Sequence, residues 1–356
     1  MCYTVYMIKR GDKIATLRYA TPGELTRWDD LIANNPGGGD PYQSSAMAAV
    51  KSRFGWTPEY WVYETEFGSF YATVLTRRFI GIGRLAYIMR GPNIKNSDQL
   101  RAIVSINSKK TDFFAIKMEP SIEQIPHEMI ADESIGADLK HLLKVRNTQP
   151  HTQQVVVDLT RSADEILASF SQTARREIRA AEKDGIIIKK SPLTEKNMRD
   201  MYRLYSAMSQ RTKLFIRPYD YYRRFWMSYG DLDQGELFLA HTKSGDAIAG
   251  AFIIKFGQKA IYKDGGSVRT DYKHFAHLLQ WSVMLSLKES GVTEYNLMST
   301  QAPGLNTFKR SFSPRDIVYI GTYDQVLNRK AYQKWLRWGE RLNQLIASRI
   351  KKTTLF

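Results

Sequence analysis

One order of elements occurs twice along this chain, and a repeat of that size constrains the fold more than any single motif does. In the first half a helix over 44–53, stopped by Gly55, precedes three strand-like runs at 59–64, 70–75 and 84–89, dense in aromatic and β-branched residues. A helix over 98–108 and a strand over 113–118 complete that half. A bridging strand at 154–159 then leads to helices at 163–170, 174–183, 195–209 and 219–228. Strands follow at 236–241, 247–255 and 259–263, then a helix over 273–289 closed by Gly291, and a strand over 294–298. Both halves read helices, three strands, helix, strand, which predicts two tandem mixed-sheet α/β domains. The alternative is coincidence, since unrelated mixed α/β proteins share such orders.

Signals nearer the ends are local. Thr21-Pro22-Gly23-Glu24 combines an N-cap threonine, a proline at the first helical position and a glutamate that closes a capping box. The glycines and prolines of 34–41 mark a surface loop. Over 325–352, Leu327, Ala331, Trp335, Trp338, Leu342 and Leu345 recur every three or four residues between basic side chains, as in an amphipathic helix. Its apolar stripe is expected to pack on the first domain, the alternative being a membrane surface.

At 43% hydrophobic and 25% charged, the 356 residues have the composition of a globular protein, which excludes disordered and fibrous classes. A formal charge of +16 predicts attraction to polyanions without choosing among nucleic acid, anionic lipid and phosphorylated ligands. The single cysteine, Cys2, cannot form an internal disulfide, and no Cys-x-x-Cys pair exists to bind zinc. Residues 1–10 lack an apolar core and no run of eighteen apolar residues occurs, so the expectation is a cytoplasmic chain without a leader or spanning helix.

Several short strings bear on chemistry. Arg78-Phe79-Ile80-Gly81-Ile82-Gly83 matches the Arg-x-x-Gly-x-Gly loop with which acetyltransferases cradle coenzyme A pyrophosphate. That loop works only where its N–H groups open a helix, and here a strand follows, so a tight turn is expected. His274 and His277 have a metal-compatible spacing, but no acidic residue or cysteine in register completes a set, and no metal is expected. Asp264-Gly265-Gly266-Ser267 reads as a turn, or as backbone donors for an oxyanion. Arg175, Arg179 and Lys183 follow i, i+4, i+8 spacing with Arg176 beside them, giving either a solvated or a phosphate-contacting helix face. Arg217 and Tyr221 lie one turn apart and could grip one oxyanion, or be a surface arginine and a core tyrosine. Lys309 stands between Phe308 and Phe312 in a glycine-led segment, where an ammonium could steady a developing oxyanion.

In order along the chain, Tyr42-Gln43-Ser44 through Lys51 to Gly55-Trp56, Arg90-Gly91-Pro92, Lys117-Met118-Glu119-Pro120, 175–185, Arg217 with Tyr221, 262–267, Leu279-Gln280-Trp281 and 304–312 resemble landmarks of one family. It is the Fem family of aminoacyl-tRNA-dependent transferases that build peptidoglycan interpeptide bridges. The resemblance implies two tandem acetyltransferase-like (GNAT-like) domains without acetyl-coenzyme A. The first would span 1–150 and be completed by about 325–356, and the second 151–324. The chain between Gly185 and Gly235 is too short for the helical-hairpin arm of some members, so the armless type is expected.

The same resemblance implies roles for individual residues. Lys51, Arg217, Tyr221 and Tyr262 fall where the precursor diphosphate is held, and Lys309, preceded by Phe308, falls on the catalytic lysine. Arg175, Arg176, Arg179 and Lys183 become candidates for contact with tRNA. After Arg90-Gly91-Pro92 the family usually has an aspartate, whereas this chain has Asn93-Ile94-Lys95. The implied reaction moves an amino acid from aminoacyl-tRNA to a stem-peptide amine of a lipid II or UDP-MurNAc-pentapeptide precursor, without a cofactor. Peripheral contact with an anionic inner membrane surface is a further expectation. The alternatives are an acyl-coenzyme A N-acyltransferase on the same fold and a non-catalytic RNA-binding protein.

Overall fold

The computed structural model describes residues 15–124, 142–148, 153–272, 274–298, 303–313 and 315–339. Cys2, and Leu342 and Leu345 of the expected C-terminal helix, lie outside them. The chain divides into two compact units, Met1–Thr148 with Tyr319–Phe356, and Gln149–Val318.

The first unit is built on a seven-stranded sheet. Its strands are β1 (Thr16–Tyr19), β2 (Thr57–Thr65), β3 (Gly68–Phe79), β4 (Gly83–Ile88), β5 (Phe113–Met118), β6 (Leu142–Val145) and β14 (Thr322–Val326). Their spatial order is β1-β2-β3-β4-β5-β14-β6, with β4 and β5 parallel and the other described pairs antiparallel. Helices α1 (Pro22–Leu25), α2 (Trp28–Ala33) and α3 (Ser45–Ser52) precede the β2–β3–β4 meander, and α4 (Ser97–Asn107) links the parallel pair. The Thr21 capping box is present, with Thr21 Oγ1 accepting from the Glu24 N–H and the Glu24 carboxylate accepting from the Thr21 N–H.

Apolar positions of β2, β3 and β5 close a core with Leu100, Ile103 and Val104 of α4. Gln43, fully buried, ties this core to the meander: its amide donates to Met89 O at 2.6 Å, and its Oε1 accepts from Thr73 N at 2.9 Å.

The second unit repeats the plan. Strands β7 (Gln153–Asp158), β8 (Ile187–Ser191), β9 (Gly235–His241), β10 (Ala247–Phe256), β11 (Lys259–Ser267), β12 (Glu294–Asn296) and β13 (Asp316–Val318) lie in the order β13-β7-β12-β11-β10-β9-β8. Read from the β8 edge, this is the first sheet again, with β11 and β12 as the parallel pair and α9 (Phe275–Glu289) as its crossover. The strand beside that pair is β7 here and β14 in the first unit, so each sheet is completed by a strand from outside its own three-strand meander. The remaining helices are α5 (Ala163–Ser169), α6 (Gln172–Lys183), α7 (Glu195–Thr212), α8 (Tyr219–Gly230) and α10 (Pro303–Arg310). Met198, Met201 and Leu204 of α7 and Phe225, Trp226 and Tyr229 of α8 are buried, so the chain between Gly185 and Gly235 folds onto its unit and does not project as an arm.

Two elements differ from expectation. Asp264–Ser267 is not a turn: it continues β11, pairing with Ala249–Phe252 of β10. A bulge at Lys263 and close packing explain the glycines, since an added Cβ at Gly266 would lie 2.5 Å from the Leu204 carbonyl oxygen of α7. Gln325 and Val326, expected in the C-terminal helix, end β14, and helix α11 (Arg329–Lys334) starts only after Asn328, whose side chain accepts from Ala331 N. From α11, Tyr332 packs with Leu85, Phe114 and Ala115 of the first unit, together with Trp335 from the wider turn Trp335–Gly339.

Candidate functional site

Lys309 lies in the last turn of α10, only 5% exposed, with its Nζ 5.7 Å from the centre of the Tyr262 ring. Among the described residues no carboxylate pairs with it. Burial alone pushes its ammonium from the ordinary 10.5 down to about 8. Tyr262 comes from β11, immediately before the bulge that shifts the register between Phe252 and Ile253. Its hydroxyl is engaged by the Gln280 amide of α9, and burial raises its pKa well above the phenolic range. Gln280 also accepts from Tyr295 Oη at 2.8 Å, so strand β12 and helix α9 jointly fix the ring beneath the ammonium. Gly265 leaves room for that ring, because a Cβ there would overlap the Tyr262 hydroxyl.

Phe308 turns to the other side of α10. Its ring meets His277 edge-on at 4.7 Å and Phe312 at 5.2 Å. His277 is held at both nitrogens: Nδ1 lies 2.6 Å from a Glu177 oxygen and Nε2 3.1 Å from Ser311 Oγ, while the Ser311 hydroxyl donates to Phe308 O at 2.6 Å. His274 Nδ1 lies 3.5 Å from the same Glu177 carboxylate. Burial lowers the His277 imidazole from its usual range. The acidic partner missing from the His274/His277 spacing thus comes from α6, about a hundred positions earlier, where no local pattern could reveal it. Among the described residues no group of three His, Cys, Asp or Glu side chains has the geometry to hold a metal.

A second cluster forms where α7 leads into α8. The Arg217 guanidinium stacks 4.7 Å from the centre of Tyr221, which lies parallel to Phe225 at 6.3 Å. Arg217 is exposed and Tyr221 half-buried. Tyr202 Oη donates to the Arg217 carbonyl at 3.1 Å, holding the loop against α7. Below them Asp264, buried, accepts from Trp226 Nε1 at 3.0 Å and from Lys263 Nζ at 3.1 Å. Trp226 lies in no sequence motif, while Gln280 and Glu177 fall in the Leu279-Gln280-Trp281 and 175–185 landmarks, which assign them no partner.

The cations of α6 do not act as one row. Ala174, Ile178 and Ala181 face the core, and Arg176, Arg179 and Lys183 are exposed. Arg175 instead donates to the carbonyls of Ala168, at 2.8 Å, and Phe170, satisfying the end of α5. Lys51, in the first unit, is half-buried in the last turn of α3, where a cation favours the helix C-terminus. In that unit the Arg90-Gly91-Pro92 and Lys117-to-Pro120 landmarks form one structure: the Glu119 carboxylate accepts from Arg90 N at 2.8 Å and from Tyr87 Oη at 3.0 Å. Asn93, where the family usually has its aspartate nearby, is buried and donates to Arg90 O at 3.0 Å. Arg78-to-Gly83 is the tip of the β3–β4 hairpin, closed by Ile82 N to Phe79 O at 3.1 Å, and no helix begins there.

Two sheets of one strand order, each with a helix joining its parallel pair, define a protein of two tandem acetyltransferase-like domains. The crystal structure of FemX shares this fold, with a TM-score of 0.76 over 89% of this chain and 98% of that one at 18% identity. A tandem GNAT protein from the clavulanic acid biosynthesis pathway matches at a TM-score of 0.50 and 12% identity, over 88% of this chain and 98% of that one. A conserved protein of unknown function from Bacteroides thetaiotaomicron matches at 0.54 and 12%, over 86% and 98%. No curated protein matches in sequence. The FemAB family profile matches residues 33–245 and 232–335, and the chain belongs to the FemAB family. It is therefore a transferase of the Fem type, the kind associated with peptidoglycan bridges.

Proposed function

We propose that the protein moves an aminoacyl group from aminoacyl-tRNA to a stem-peptide amine of a peptidoglycan precursor, with Lys309 as its catalytic cation. The observation that carries this reading is a lysine buried by the fold over a tyrosine ring, without a carboxylate partner among the described residues. A lysine held for structure alone would gain from a counter-ion; one reserved for a transient negative charge is weakened by it.

The aminoacyl ester is already activated, so orientation and charge stabilisation suffice. The acceptor nitrogen attacks the ester carbonyl, forming the C–N bond and placing a negative charge on the carbonyl oxygen. Lys309 donates to that oxyanion, a contribution on the order of 3 kcal/mol. Collapse breaks the bond to the ribose oxygen, which leaves with the proton given up by the amine. With a pKa near 8 the ammonium is about nine-tenths charged at pH 7. In this reading Arg217, stacked on Tyr221, contacts the precursor diphosphate, and Tyr262 sets the height of the ammonium. Arg176, Arg179 and Lys183 meet tRNA phosphates.

The test is to incubate the full chain with a mixture of charged tRNAs and muropeptide precursors, and to read the mass of the acceptor. A gain of one amino-acid residue, lost in Lys309→Met while tRNA binding persists, supports the reading. No gain on any acceptor rejects it, and equal gain in Lys309→Met removes the lysine from the mechanism.

A further inference from the structure

The β3–β4 hairpin, whose Arg-x-x-Gly-x-Gly string has no part in the proposed chemistry, ends in an isoleucine that is 99% exposed, Ile80. Gly81 and Gly83, both at positive φ, turn the chain behind it. Three segments of the first unit meet beside this tip. The Arg77 guanidinium lies 5.8 Å from the centre of Trp56 and 5.9 Å from that of Phe79. Phe79 in turn packs on Phe114 at 6.3 Å, and Phe114 on Trp335 at 6.0 Å. The same segments expose Phe54, Leu336 and Trp338.

Their charge is of one sign. Positions 51–56, 76–84 and 329–339 contain no acidic residue, and among the described residues Arg53, Arg77, Arg78 and Arg337 have no carboxylate within 4.0 Å. Exposed apolar side chains on the same segments as arginines that lack carboxylate partners, with tryptophan among them, match the layers of a bilayer surface: acyl chains, interface and anionic headgroups.

We propose that this end of the first unit docks on an anionic lipid bilayer, with Ile80 entering the acyl boundary and Arg77, Arg78, Arg53 and Arg337 contacting headgroup phosphates. A nucleic acid would use the arginines but gain little from Ile80. A folded partner or a second copy would need a broader face than a hairpin tip offers.

Flotation of the full chain with vesicles tests it, comparing phosphatidylcholine alone with phosphatidylcholine containing phosphatidylglycerol. The expected result is binding to the anionic vesicles only, weakened by salt. Ile80→Asp should reduce it at least tenfold, and Arg53→Glu with Arg78→Glu, both exposed, on the order of 25-fold, with melting temperatures unchanged. Transfer to a water-soluble precursor should be unaffected in both variants, so this result stands apart from the proposed reaction. Absence of binding to anionic vesicles, or equal binding by Ile80→Asp, overturns the proposal. So does a self-association, seen by sedimentation, that Ile80→Asp abolishes in place of vesicle binding.

Discussion

The Lys309 ammonium stands 5.7 Å from the centre of the Tyr262 ring, so its described neighbour is an aromatic quadrupole and not a carboxylate. Such a ring attracts the cation without neutralising it, and the charge stays available to a reacting oxygen. The surrounding burial has already brought the ammonium down to about 8. If the protonated form works, kcat/KM falls as pH rises through about 8, approaching tenfold per pH unit. Lys309→Arg, whose charge persists beyond pH 12, should move that falling limb upward. A rate that climbs through pH 8 would instead make neutral Lys309 a base.

The same burial acts on stability. Lys309 in the native state loses its proton near 8, whereas the unfolded chain keeps it to about 10.5. Between those values the unfolded state binds more protons, so stability rises with pH, and the cost of the buried charge is present in full below about 8. At about 1.4 kcal/mol per pH unit that cost is on the order of 3 kcal/mol. Lys309→Met should therefore raise the unfolding midpoint of the second unit at pH 7 and leave it nearly unchanged at pH 10.5. Urea unfolding at the two pH values measures this, and a destabilised Lys309→Met at pH 7 contradicts it.

Gly265 and Gly266 separate site geometry from packing. Gly265→Ala pushes the Tyr262 ring away, so transfer should drop at least tenfold and the alkaline limb move to higher pH as Lys309 gains water. In Gly266→Ala the new methyl meets the α7 backbone at Leu204 and Tyr205, where little can yield. That variant should lose on the order of 2 kcal/mol of stability and keep the pH profile.

The Gly265 case also shows what the sequence could and could not disclose. The strand found at Phe113–Met118 coincides with the expected 113–118, because the apolar run Phe113–Ile116 has few other homes. Asp264–Ser267 has the composition of a turn, yet those glycines sit in a strand because Tyr262 and α7 press on them. Edge strand β8, with no fully buried residue in Ile187–Ser191, lacks the alternation that would announce it. Arg217 and Tyr221 were legible as a pair four positions apart, and the structure stacks them, though Arg217 lies in the loop ahead of α8, which begins at Tyr219. Glu177 beside His277 was not, since helix-to-helix partners have no fixed spacing along a chain.

Arg217 and Tyr221 should behave as a unit in precursor binding. Arg217→Ala is expected to raise KM for the precursor about tenfold with little change in kcat. Tyr221→Ala should cost nearly as much, and the double variant little more, because each positions the other. Additive losses in steady-state kinetics would mean independent roles.

Salt dependence distinguishes Arg175 from the rest of its helix. If Arg176, Arg179 and Lys183 each neutralise a tRNA phosphate, replacing all three by Ala should flatten the plot of log kcat/KM for tRNA against log salt by about 2. Arg175→Ala removes no free cation, since its guanidinium is committed to the carbonyls of Ala168 and Phe170. It should leave the slope in place and instead lower stability by about 1 kcal/mol, through loss of the bonds that end α5. A slope change in Arg175→Ala equal to that of an exposed neighbour would mean that the arginine leaves those carbonyls to meet the nucleic acid.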